Sequence, residues 1–99
     1  MHPSESKRKR IVELAEEAIH AAKLEKQHAT DRRTEWLVIE CDRAIGIFES
    51  IKERATTGTL KASGGAGLGI TRALSEWDAP EALYQAGHNL EQYFKMEWQ

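Results

Sequence analysis

From Ser4 to Ile45 the chain contains neither glycine nor proline. A run of that length carries no residue that forces the backbone out of a helix. Within it Ile11, Ala15, Ala18 and Ala22 recur at spacings of 4, 3 and 4, and Val12, Leu14 and Ile19 widen the stripe. That period predicts an amphipathic helix over 5–27. Pro3 and Ser4 mark its start, with Ser4 as cap and Glu5 in the first turn. Its contact face is mostly alanine, which lets another helix approach closely.

Between Glu25 and Glu35 the only apolar residue is Ala29. Thr30 and Asp31 suit a cap better than a helix interior. The pattern predicts a break near 28–31 and a helical hairpin; one continuous helix is the alternative. A second helix is expected over 32–56, where Leu37, Cys41, Ala44, Phe48 and Ile51 form a 4-3-4-3 seam flanked by Val38 and Ile45. Trp36, Ile39 and Ile47 lie off that seam. An element apolar on more than one face is either central or offers a face to a partner. Gly46, costing about 1 kcal/mol against alanine in a helix, calls for a tight crossing helix to explain it.

The composition then changes. Thr56-Thr57-Gly58-Thr59 ends the helix, and Ser63–Gly69 is glycine-rich. Ile70, Ala73, Leu74 and Trp77 form a short helical face. Asp78-Ala79-Pro80-Glu81 reads as a helix start with Asp78 as cap and Trp77 and Ala82 as a hydrophobic staple. Leu83, Ala86, Leu90, Tyr93, Phe94 and Trp98 carry an apolar face onward. No strand and no internal repeat is expected. The fold class is therefore all-α: a single domain over 1–99 in which a hairpin (1–57), a Gly-rich connector (58–69) and a C-terminal helix pair (70–99) build a small four-helix bundle.

Composition narrows the functions open to such a bundle. With 99 residues only one domain is expected. The 14 Lys+Arg stand against 16 Asp+Glu, a net charge of −2, which argues against a nucleic-acid coat. The basic runs Lys7–Arg10 and Arg32-Arg33 fall at opposite ends of an antiparallel hairpin, which weakens any single nucleic-acid patch. The one cysteine, Cys41, cannot form an internal disulfide or a zinc knuckle, which fits a reducing, cytoplasmic setting. The longest apolar run, Trp36–Ile39, is too short to span a membrane, and the N-terminal segment lacks the apolar core of a secretory signal.

Glycines let backbone N–H groups converge on an anion, and a helix start adds its positive end. Read as a nucleotide loop, Gly64, Gly69 and Thr71 match the Walker A spacing, but Ile70 replaces the lysine. Read as a dinucleotide fingerprint, Gly65 and Gly67 match and Ile70 replaces the third glycine. A hydrolase is thus not expected. A phosphate held by Lys61, Gly64, Gly65, Gly67, Gly69, Thr71 and Arg72 is the surviving ligand reading, against a plain linker. Glu17 and His20 form one E-x-x-H pair, a di-metal half-site that only a symmetric dimer could complete; a solvated acidic face is the simpler reading. Cys41 on the core seam reads as a small hydrophobe rather than a nucleophile.

The function expected from these features is non-enzymatic, with no cofactor: an inhibitor, adaptor or regulator binding another protein and itself. Trp36, Ile39, Ile47, Tyr93, Phe94 and Trp98 are the expected interface, because large side chains spread around a helix usually dock something. The alternative is a module that captures a nucleotide or other phosphorylated small molecule on the Gly-rich loop.

Overall fold

Ser4 opens the first helix as its cap: the Lys7 amide donates to the Ser4 hydroxyl at 3.3 Å. In a computed structural model, which describes residues 4–99 and so leaves Pro3 outside, the elements are α1 (Glu5–Asp31), α2 (Glu35–Thr57), α3 (Ile70–Glu76) and α4 (Glu81–Glu97). There is no strand among the described residues. The chain is a small all-α four-helix bundle, elongated to 46 × 21 × 17 Å.

Three of the helices end by the same device. At the hairpin turn Arg33 takes a left-handed conformation (φ 57°), the Thr34 amide donates to the Ala29 carbonyl at 2.8 Å, and the Arg33 amide donates to the Thr30 carbonyl at 3.1 Å. That is a Schellman closure with arginine where glycine is usual. It moves the break from the expected 28–31 to 32–34. Thr30 does not cap; its hydroxyl donates back to the Lys26 carbonyl at 2.8 Å, inside the helix. Gly58 (φ 76°) ends α2 in the same way, with the Thr59 amide on the Arg54 carbonyl at 2.8 Å. Asp78 (φ 52°) ends α3, with the Ala79 amide on the Leu74 carbonyl at 3.0 Å. Asp78 therefore terminates α3 instead of capping α4. The latter begins after Pro80 without a side-chain cap, and Ala82 is exposed rather than stapled to Trp77.

α1 and α2 form the antiparallel hairpin, and α4 lies along the other side of the α1 seam. The alanine face of α1 makes this possible: Ala15, Ala18 and Ala22 are fully buried. Phe48, Ile51, Leu83, Leu90 and Phe94 fill the core around them. Trp98 closes its end, fully buried, its indole N–H donating to the Leu60 carbonyl at 3.1 Å. The terminal aromatics thus dock on this chain's own hairpin. Phe94 and Trp98 are core residues, not interface, and Tyr93 is half-buried beside them.

Two mid-helix glycines behave oppositely. Gly46 has nothing within 4 Å of where a Cβ would sit, so no helix crosses it, contrary to the expectation from sequence. Gly87 in α4 is the close approach. A Cβ there would lie 2.5 Å from Leu74 Cδ1 and 3.0 Å from Ile70 Cγ2, the two buried side chains of α3. Alanine normally favours a helix by about 1 kcal/mol over glycine, but here the clash dominates. Gly87→Ala is expected to destabilise the fold by about 1–3 kcal/mol, read as a lowered midpoint in thermal or urea unfolding. An unchanged midpoint would mean that α3 does not depend on this seat.

Candidate functional site

The Gly-rich connector is anchored at both ends of its path across α4. The Ser63 amide donates to the Trp98 carbonyl at 2.6 Å, and the Ser63 hydroxyl donates to the Lys95 carbonyl at 3.1 Å. Further along, the backbone curls around one carboxylate. The amides of Leu68 and Ile70 each donate to Glu91 Oε2 at 2.8 Å, and the Thr71 amide donates to Oε1 at 3.0 Å. Glu91 is the one buried charged residue among those described, 7% exposed. Its charge is held by converging backbone dipoles rather than by a cation. Burial pushes its carboxyl upward, but the bonds from Thr71, Ile70 and Leu68 outweigh that and hold it below the ordinary range.

This geometry decides where the expected phosphate residues stand. Gly67 and Thr71 are at the carboxylate; a Cβ on Gly67 would sit 3.2 Å from Glu91 Cδ and Oε2. Gly64 and Gly65 turn the chain with positive φ in open space, and Gly69 (φ 77°) caps α3. Lys61 is exposed, and Arg72 pairs with Glu76 at 3.6 Å on the outside of α3. The anion-binding amides foreseen from the glycines do converge, and the anion they hold is the chain's own Glu91. Beside this centre Thr71 Oγ1 lies 3.4 Å from His88 Nδ1, and His88 stacks on Tyr84.

The remaining candidates stay apart. Glu17 and His20 lie on the exposed side of α1, and no group of three or more metal-ligating side chains occurs among the described residues. Cys41 is fully buried; burial, then Glu25 and Asp42, push its thiol up to about 11. It is protonated at neutral pH and packs as a hydrophobe. Lys7–Arg10 and Arg32-Arg33 sit at opposite ends of the hairpin.

The outer face of α2 is different in character. Trp36, Ile39 and Ile47 are 58%, 52% and 44% exposed. With Arg43, Gly46, Ser50 and Arg54 they follow one helical stripe, turned away from the seam of Cys41, Phe48 and Ile51. Arg43, Gly46, Ile47, Ser50 and Arg54 line a shallow notch whose floor is the missing side chain of Gly46. A second groove runs between this helix and α3, bounded by Arg43 and Ile47 on one side and Ala73 and Trp77 on the other.

Comparisons with protein-family models, with curated proteins and with solved structures found no match.

The sequence reading missed both residues of α4 that organise this region. Gly87 and Glu91 fall on the same face as Leu83, Leu90 and Phe94, one turn apart. A glycine and a carboxylate inside an apolar stripe, downstream of a loop rich in free amides, were the available signal.

Glu91→Gln keeps the shape but turns an NH₂ group toward backbone donors, and is expected to cost about 2–3 kcal/mol. The loss has a pH signature. A carboxylate whose folded pKa lies below its unfolded value of about 4.5 stabilises the fold above that value, and the contribution disappears as pH falls through the folded pKa. Urea midpoints measured from neutral pH down into acid should therefore converge between the native chain and Glu91→Gln. A gap that stays constant would exclude ionised Glu91 as its source.

Proposed function

We propose that this chain is a small helical binding protein, of inhibitor, adaptor or regulator type, that acts through protein contacts on the outer face of α2. The observation that carries the reading is the half-exposed stripe of Trp36, Ile39 and Ile47. Large apolar groups aligned along one rigid helix are the usual anchor of a protein interface. The hairpin is well suited to present them, because Lys26–Asp42 (2.7 Å) and Lys52–Glu16 (3.5 Å) bridge its two helices and the core seam holds α2 by its opposite side. Self-association belongs to the same reading, as does a cytoplasmic setting for a chain with one buried thiol.

Capture of a phosphorylated ligand is the weaker proposal. Such a ligand would have to displace Glu91 from the amides of Leu68, Ile70 and Thr71, and of the flanking cations Arg72 is paired with Glu76 and Lys61 is exposed.

A photo-crosslinking amino acid at 36, 39 or 47 tests the main reading in cells that make the protein. Protein adducts are expected from those three positions and not from 17 or 27 on the outer side of α1. Absence of adducts from all three α2 positions, with the chain folded, would overturn it.

A further inference from the structure

The α2 stripe also carries information about what covers it. Its opposite charges are arranged symmetrically about Ile47: Glu40 and Arg54 stand seven residues to either side of it. The chain uses none of this symmetry internally. Glu40 reaches only Arg43 of its own helix, at 3.1 Å. Arg54 donates to the Ser50 carbonyl at 3.4 Å and has no carboxylate within ion-pair reach among the described residues. Gly46 is exposed and open at the centre of the stripe.

We infer that the occupant of this face is a second copy of the chain, its α2 laid antiparallel on the first about a two-fold axis through Ile47. The inference rests on the protein-binding reading above and names the partner. In that arrangement the same sides of the two helices meet. Ile47 faces its counterpart, and Gly46 lies beside the axis, where its missing side chain lets the backbones approach. Glu40 of each copy faces Arg54 of the other, giving two equivalent ion pairs at the rim. The parallel alternative fails on charge: it stacks Arg43 on Arg43 and Arg54 on Arg54. An isologous contact of this kind closes on itself and leaves no stripe free to propagate a filament. Charges placed at the rim of an apolar strip select orientation and register more than they add affinity.

The test uses the full chain. Light scattering and sedimentation across micromolar concentrations should give twice the 11.2 kDa subunit mass. Arg54→Glu and Glu40→Arg are each expected to weaken the dimer about tenfold, since each reversal opposes like charges at both ends of the contact. The Glu40→Arg/Arg54→Glu double variant restores attraction in the antiparallel register and should return to within about threefold of the native dissociation constant. Ile47→Cys, on the axis, should oxidise to a covalent dimer, while Gln27→Cys on α1 should not; Cys41 is buried and its thiol stays protonated, so it does not interfere. Ile47, Arg54 and Gln27 are exposed and Glu40 is half-buried, and unchanged circular dichroism establishes that each variant folds. A monomer at all concentrations, with photo-adducts from 36, 39 and 47 on another polypeptide, overturns the dimer while leaving the binding reading in place. A dimer indifferent to charge reversal and unlinked through Ile47→Cys overturns the interface. A monomer without adducts overturns both.

Discussion

Glu91 is a buried anion with no ion-pair partner among the described residues. A lone carboxylate removed from water would be strongly destabilising, so its presence in the core requires that every nearby donor be aimed at it. The connector supplies those donors. Because its amides come from Leu68, Ile70 and Thr71, the loop and the first turn of α3 have one shape that satisfies the charge. One turn earlier on α4, Gly87 leaves the space into which Ile70 and Leu74 then fall. Polar anchoring and apolar packing of α3 are thus set by adjacent turns of a single helix. Neither would suffice for an element of seven residues, which is far too short to be helical by itself.

The hairpin obeys a different logic. Its stability is apolar and local: a small-residue face on α1 receives the larger side chains of α2, and Arg33 closes the turn despite the cost of about 1–2 kcal/mol that a left-handed conformation imposes on a side chain with a Cβ. Six consecutive backbone positions, Ala29 to Thr34, repay that cost with the two Schellman bonds. The same balance recurs at Asp78, where aspartate tolerates the conformation better than most residues.

Legibility from sequence followed these two regimes. Period alone located the seams of α1 and α2 and the apolar side of α4, because core packing dominates there and core packing is periodic. Positions governed by positive φ were harder. Arg33 and Asp78 are not glycines, so the sequence pattern puts the turn a few residues early and assigns Asp78 to the helix after it instead of the one before. Phe94 and Trp98 looked like a surface in search of a partner because the pocket that receives Trp98, around Leu60, is made by chain far away in sequence. For the candidate site, the convergence of amides was readable from the glycines, but not the identity of the anion. Trp36, Ile39 and Ile47 were correctly separated from the seam by their phase, since exposure on a helix is a matter of angle.

Anchoring a loop by its amides has an effect on how substitutions are tolerated. A backbone N–H is the same group whichever side chain follows it, so Leu68, Ile70 and Thr71 would present the same three donors with many other residues in their places, provided that helix and core are maintained. Within the loop itself, Gly67 is held to its identity by contact with the carboxylate and Gly64, Gly65 and Gly69 by their positive φ. The instruction for the loop's path is therefore written mostly outside the loop, at position 91. Sequence drift at the connector's non-glycine positions and loss of the connector's structure are separable events in such a chain: the first can proceed far without the second, whereas one change on a distant helix can bring about the second with the connector's own residues untouched.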